Sequence, residues 1–181
     1  MDKLIRKGIV DILTKHEELL RIPLRQRAKF EGWLKFELAC YLDQTGMRSV
    51  EVESQGSFQY RSDIAFFKDD DPYRLELKTP NTNWRLPGVN SSGRPITKNV
   101  QSIIDDAFKL NSQYGIVAFV LFPVPVDDSR WELYLKRISE KTGLCLSKEN
   151  NCEVIKMNVD DKHTCDLIVC SFMCKQFRKL R

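Results

Sequence analysis

The chain has 181 residues, 42% hydrophobic and 30% charged, which suits one globular domain large enough to bury a core. Its longest apolar run, Ile116 to Phe122, falls far short of the ~20 residues a membrane span requires, so no membrane partner is expected. The net charge of +4 and pI of about 8.7 permit a polyanionic partner without demanding one.

From Lys3 to about residue 20, Leu4, Ile5, Ile9, Ile12, Leu13, His16, Leu19 and Leu20 recur at helical spacing, opposite Lys7, Asp11, Lys15 and Glu18. Asp11 and Lys15 interrupt the apolar stretch and no small-residue cleavage site follows, so this is not a signal peptide; the expected location is cytoplasmic. Pro23 is expected to stop the helix. Arg21, Arg25, Arg27 and Lys29 then form a basic cluster, either a phosphate contact or a solvated face. A second helix, from about Gln26 to Asp43, carries the stripe Phe30, Trp33, Leu34, Leu38, Tyr41 and Leu42. Glu37 falls on that stripe, where a carboxylate is costly unless a cation satisfies it, be it a site group or a nearby arginine.

Ser49 to Gln55 alternates as a strand, and Gly56 and Ser57 turn the chain. Tyr60–Phe67 and Tyr73–Pro80 read as two further strands joined by the charged turn Lys68 to Pro72. Side chains alternate along a strand, so Leu75 and Leu77 point one way and Glu76 and Lys78 the other. With Asp63 on the partner strand, two carboxylates and an ammonium share one neighbourhood. Two carboxylates suit a hard divalent cation such as Mg²⁺, and a lysine beside them can orient or help deprotonate a water, as metal-assisted phosphodiester hydrolysis requires.

Residues 81–95 form a long polar loop after the lysine strand, with Trp84, Arg85 and Arg94 as candidate substrate contacts; Trp84 either stacks on a base or anchors the loop. Ile96, Val100, Ile103, Ile104, Ala107 and Phe108 mark a helix beginning after Pro95. Tyr114 to Val124 suggests a buried central strand. Ser129 to Thr142 reads as a helix ended by Gly143, and Cys152–Val159 and Asp166–Phe172 as strands. Six cysteines without a CxxC pair are expected to be reduced, and a basic tail closes the chain. No phosphate-binding glycine loop occurs, and nothing pairs His16 or His163 with a reactive thiol.

The order helix, strand, strand with Asp63, strand with Glu76-Leu77-Lys78 resembles the PD-(D/E)xK nuclease superfamily, with Ser62 where the eponymous proline would stand. The resemblance implies a restriction-endonuclease-like α/β fold, a three-layer sandwich with a mixed central sheet flanked by helices. One domain over 1–181 would comprise an N-terminal helix at 1–25, a core motif at 26–124 and a C-terminal sheet extension at 125–181. It implies a Mg²⁺-dependent endonuclease, with Mn²⁺ as the substitute ion, acting on nucleic acid and foremost on double-stranded DNA. Asp63 and Glu76 would hold the metal, Lys78 would activate water and Glu37 would assist as the acid from the preceding helix. Arg25, Arg27, Lys29, Trp84, Arg85, Arg94, Lys98 and Gln101 would meet the nucleic acid, Lys98 and Gln101 from the helix after the lysine strand. A homodimer would supply the second site for a double-strand break. The competing class is a catalytically inactive nucleic-acid-binding or interaction module that keeps the fold.

Overall fold

All ten residues of the strand Gly115–Val124 are buried, and the rest of the molecule packs around this segment. The computed structural model describes residues 1–54, 61–91, 95–112 and 114–174. In chain order the helices are α1 (Asp2–Lys15), α2 (Glu17–Gln26), α3 (Glu31–Gln44), α4 (Ile96–Lys109), α5 (Glu132–Thr142) and the short α6 (Lys148–Asn151). The strands are β1 (Arg48–Val52), β2 (Ile64–Lys68), β3 (Asp71–Lys78), β4 (Gly115–Val124), β5 (Cys152–Asn158) and β6 (Thr164–Met173). They form one six-stranded sheet in the order β1-β2-β3-β4-β6-β5. Only β3 and β4 pair in parallel; every other neighbouring pair is antiparallel, so the sheet is mixed.

The parallel step needs a crossover, and α4 supplies it. Because side chains alternate, β4 feeds two cores. Ile116, Ala118, Val120 and Phe122 join Leu75, Leu77 and the apolar faces of α1 and α3. Val117, Phe119 and Leu121 join Ile103, Ile104 and Ala107 of α4 and Leu135 and Ile138 of α5. Helices thus cover both sides of the sheet, an α/β arrangement compatible with three layers. No helix among the described residues is long and apolar enough to cross a membrane.

The N-terminal helix breaks at His16 (φ −111°), giving two helices where the periodicity predicts one. Pro23 lies inside α2 rather than ending it. Burial of Leu20 and Leu24, both fully inaccessible, offsets the backbone hydrogen bond that proline removes. The helix stops at Arg27, which adopts a left-handed conformation (φ 53°), so α3 begins at Glu31 and not near Gln26. The β2–β3 hairpin is tighter than its charge-rich turn suggests: Lys68 pairs directly with Asp71, and Pro72 sits within β3 opposite Phe67. β4 joins β3 only from Arg74 onward, so the missing proline N–H interrupts no ladder on that side. Gly56, Ser57, Tyr60, Arg94 and the basic tail from Lys175 lie outside the described residues.

The C-terminal strands extend the sheet beyond β4. β6 inserts beside β4, and β5 lies outside it. Cys152 and Cys170 face each other in register, with Cα atoms 4.3 Å apart, and are joined as a disulfide. This corrects the expectation of six reduced thiols. Iodoacetamide labelling of the denatured, unreduced protein is expected to modify Cys40, Cys145, Cys165 and Cys174 alone, and all six cysteines after reduction. Reduction is expected to lower stability by roughly 3 kcal/mol in denaturant titrations, the loop-closure value for a bridge of this span. Six labelled thiols before reduction would contradict the pairing.

Candidate functional site

Lys78 ends β3 on the face of the sheet opposite Leu75 and Leu77. Its ammonium lies 3.2 Å from Asp106 Oδ2, 3.8 Å from Glu76 Oε2, 3.9 Å from Asp63 Oδ2 and 4.0 Å from Glu31 Oε1. These carboxylates come from four different places. Glu76 is two residues earlier on β3, and Asp63 immediately precedes β2. Glu31 opens α3 and Asp106 lies near the end of α4. Two further lysines close the ring. Lys35 Nζ is 2.9 Å from Asp63 Oδ1 and 3.1 Å from Glu53, and Lys109 Nζ is 2.5 Å from Glu76 Oε1.

The backbone fixes two of the acids. The Leu77 N–H donates to Asp63 Oδ2 at 2.9 Å, and the Thr79 N–H donates to Glu31 Oε2 at 3.2 Å. Both contacts form where β3 runs past the start of β2. In this region the β2 ladder ends at Ile64–Leu75, so Leu77 N–H is free to bind a side chain.

Their electrostatics diverge. Burial pushes Asp63 up, but the Leu77 N–H, Lys35 and Lys78 together hold it below the ordinary aspartate value. Burial raises Glu76 to about 7; the Lys109 hydrogen bond opposes this, while the charges of Asp63 and Asp106 add to it. Burial likewise raises Asp106 against the pull of Lys78. Burial works against charge on Lys78, yet Asp106, Glu31, Asp63 and Glu76 raise it, so it stays an ammonium. Two adjacent carboxylates are thus held in opposite directions, a pattern that concentrates at functional sites.

Asp63, Glu76 and Lys78 therefore converge as the strand spacing predicts. Glu37 does not join them. Its Oε2 faces His16 Nε2 at 3.7 Å, beside Trp33, whose ring meets His16 edge-on at 5.4 Å. The helix-borne acid of the cluster is Glu31, with Lys35 one turn on. Glu37 is two residues past Lys35, a rotation of about 200°, and so points toward α1 and α2. Lys35, Asp106 and Lys109 carry the same kind of signal that singled out Glu37: charges set among apolar positions of an amphipathic helix.

The nucleic-acid candidates separate into two groups. Arg25, Lys29, Arg85 and Lys98 are exposed. Arg27 is buried and spent on the loop: its guanidinium donates to the carbonyls of Asn90, Thr82 and Trp84 and to Thr82 Oγ1. Asn81 completes the tie by donating to the Arg27 carbonyl at 2.7 Å. The Trp84 ring is stacked on Tyr134 at 6.0 Å with the Arg130 guanidinium 4.9 Å from its centroid, so it anchors the loop to the start of α5. Gln101 bonds Asp105 at 2.9 Å on the exposed side of α4, about 7.5 Å of helix rise before Asp106. Gly88 (φ +72°) packs against the β5–β6 turn, where a Cβ would lie 2.5 Å from Asp160 Oδ2. Asp160 in turn bonds His163 at 2.9 Å, which lowers the aspartate to about 2.

Compared with protein-family models, curated proteins and solved structures, the chain matches none of them.

Two outcomes follow from this geometry. Arg27→Ala is expected to cost about 2–4 kcal/mol of stability, because it leaves the buried Thr82 carbonyl and the part-buried Trp84 and Asn90 carbonyls without their donor, and to expose the 81–90 segment to limited proteolysis. An unchanged cleavage pattern would contradict the anchoring role. The second concerns pH in chelator-treated protein. Glu76 has a folded value of about 7 against an ordinary 4.5, so its stabilising contribution is complete below 4.5 and is lost as pH rises through 7. Glu76→Gln should abolish that loss. Between pH 5 and 8 the wild type is expected to fall relative to the variant by on the order of 2 kcal/mol in urea titrations. Asp63, held low, acts in the opposite sense and only at pH below this window. Parallel pH profiles would refute the assignment.

Proposed function

We propose that this protein is a divalent-metal-dependent nuclease of the PD-(D/E)xK type, with a restriction-endonuclease-like domain acting on DNA. The observation that carries the reading is the convergence of Asp63, Glu76 and Lys78 at the end of β3, with Glu31 supplied by the preceding helix. The donor set fits the ion. Mg²⁺ takes one or two carboxylates and keeps most of its waters, and Asp63 and Glu76 supply two. No cluster of three or more His, Cys, Asp or Glu side chains poised around an ion occurs among the described residues; the carboxylates turn toward lysines instead.

When bound, Mg²⁺ or Mn²⁺ supplies a Lewis acid and a more acidic water. Asp63, oriented by the Leu77 N–H, and Glu76 would hold that ion. Lys78 remains protonated among its carboxylates, orients the attacking water and faces the charge that develops on the phosphate. Asp106 and Glu31 fix the position of the Lys78 ammonium. Arg25, Lys29, Arg85 and Lys98, all exposed, meet the phosphate backbone without reading sequence. One such site cuts one strand, so a double-strand break calls for a homodimer.

A second reading, a binding module without activity, draws on Lys35 and Lys109, which already neutralise Asp63 and Glu76 in the way a purely structural ion network would. Incubation with plasmid, linear, branched and single-stranded DNA, with and without Mg²⁺ or Mn²⁺, separates the two. Metal-dependent cleavage is expected. Asp63→Asn, Glu76→Gln and Lys78→Ala should each reduce it about 100-fold or more. Glu31→Ala should reduce it about tenfold, whereas Glu37→Ala should cleave like wild type. Full activity in folded Lys78→Ala, or no cleavage of any substrate with either ion, would end the nuclease reading.

A further inference from the structure

The three lysines of the cluster are not equivalent. Lys78 is surrounded by four carboxylates. Lys35 is clamped between Asp63 and Glu53 with only 10% of its side chain exposed. Lys109 is the last residue of α4, its side chain is 32% exposed, and among the described residues its one ion-pair partner is Glu76. That partner is itself only 5% exposed. A buried carboxylate is costly without a counter-charge, and Lys109 supplies it directly at Oε1 while Lys78 stands farther off, at 3.8 Å from Oε2.

Resting on the nuclease reading, we infer that Lys109 is an exchangeable counter-ion: it covers Glu76 in the free protein and pairs with a substrate phosphodiester once a divalent cation takes its place. An ion entering between Asp63 and Glu76 competes with the Lys109 ammonium for Glu76. The flexible lysine stem, open to solvent at the helix end, then carries the displaced charge to the nearest anion. One ammonium cannot neutralise the carboxylate and a phosphate at full strength together. Phosphate binding therefore frees Glu76 for the cation, and cation binding frees Lys109 for the phosphate. Such coupling is reciprocal, so each partner must tighten the other by the same factor. Lys35, held by two acids, stays in place and keeps Asp63 oriented throughout.

The test is equilibrium binding. Mn²⁺ is followed by the paramagnetic resonance signal of the free ion, with and without a short phosphorothioate duplex that resists hydrolysis, using the whole chain. In the wild type the duplex should tighten Mn²⁺ binding about tenfold, and Mn²⁺ should tighten duplex binding equally. Lys109→Met, which keeps the stem and removes the charge, should bind Mn²⁺ about tenfold more tightly on its own and lose the coupling. Lys109→Arg should retain weak binding and coupling. Thermal melts confirm that each variant is folded, and the wild-type coupling decides the matter even if one is not. Binding of both ligands without mutual effect would overturn the exchange while leaving the nuclease reading intact. Lys109→Met binding Mn²⁺ no more tightly than wild type would do the same. Wild-type protein that binds neither ligand would overturn both.

Discussion

An ammonium ion half-buried at the end of a strand has to be matched by negative charge, and Lys78 is matched four times. This requirement organises the architecture around it. Asp106, Glu76, Asp63 and Glu31 reach the same ammonium from α4, from β3, from the residue before β2 and from the start of α3. Those segments can meet only if α3 and α4 lie on opposite sides of the sheet and the β2–β3 hairpin opens at its far end. Neutralising one carboxylate eases the repulsion on its neighbours, since Asp63 and Asp106 both push Glu76 up, and charged groups that share a low-dielectric site respond as a set.

Around this polar end the molecule is a packing solution of ordinary kind. β4 offers one row of side chains to each helical layer, and β3 offers leucines to one side and charges to the other. That asymmetry is why a site exists at all. Had Glu76 and Lys78 been apolar, the parallel pair β3–β4 would simply be buried on both faces. The loop after β3 is then secured by Arg27, whose left-handed backbone ends α2 and turns its guanidinium beneath the loop.

Strand alternation made Asp63, Glu76 and Lys78 legible, because the period of two fixes which side chains share a face. The buried run at β4 and the stripe of α4 were equally plain. Helix rotation was harder to read. Glu37 and Glu31 both flank apolar residues of α3 about 240° apart, and the choice between them depends on which face of the helix meets the end of β3 and which meets α1 and α2. That packing is set by the tertiary fold, which composition does not reveal. Lys35, Asp106 and Lys109 were hidden among charges that look solvated until the sheet brings them together. The basic cluster misled at Arg27 for the converse reason: a guanidinium that satisfies three carbonyls and one that awaits a phosphate are written identically. The Cys152–Cys170 pair needed the β5–β6 register, which rests on a hairpin that no cysteine spacing encodes.

The insertion of β6 between β4 and β5 has a consequence for how the chain reaches this state. The Asp2 carbonyl accepts from the Ser171 hydroxyl across 169 residues, and Arg6 meets Glu153 across 147. The first helix therefore packs on α3 and β4 but completes its contacts only when β6 is in place. Closing the Asp2–Ser171 contact brings together residues 169 apart, so its loop-closure entropy is met only when β6 joins the sheet. Until then part of the apolar face of α1 and the open edge of β4 are exposed together, the combination that makes partly folded sheets prone to associate.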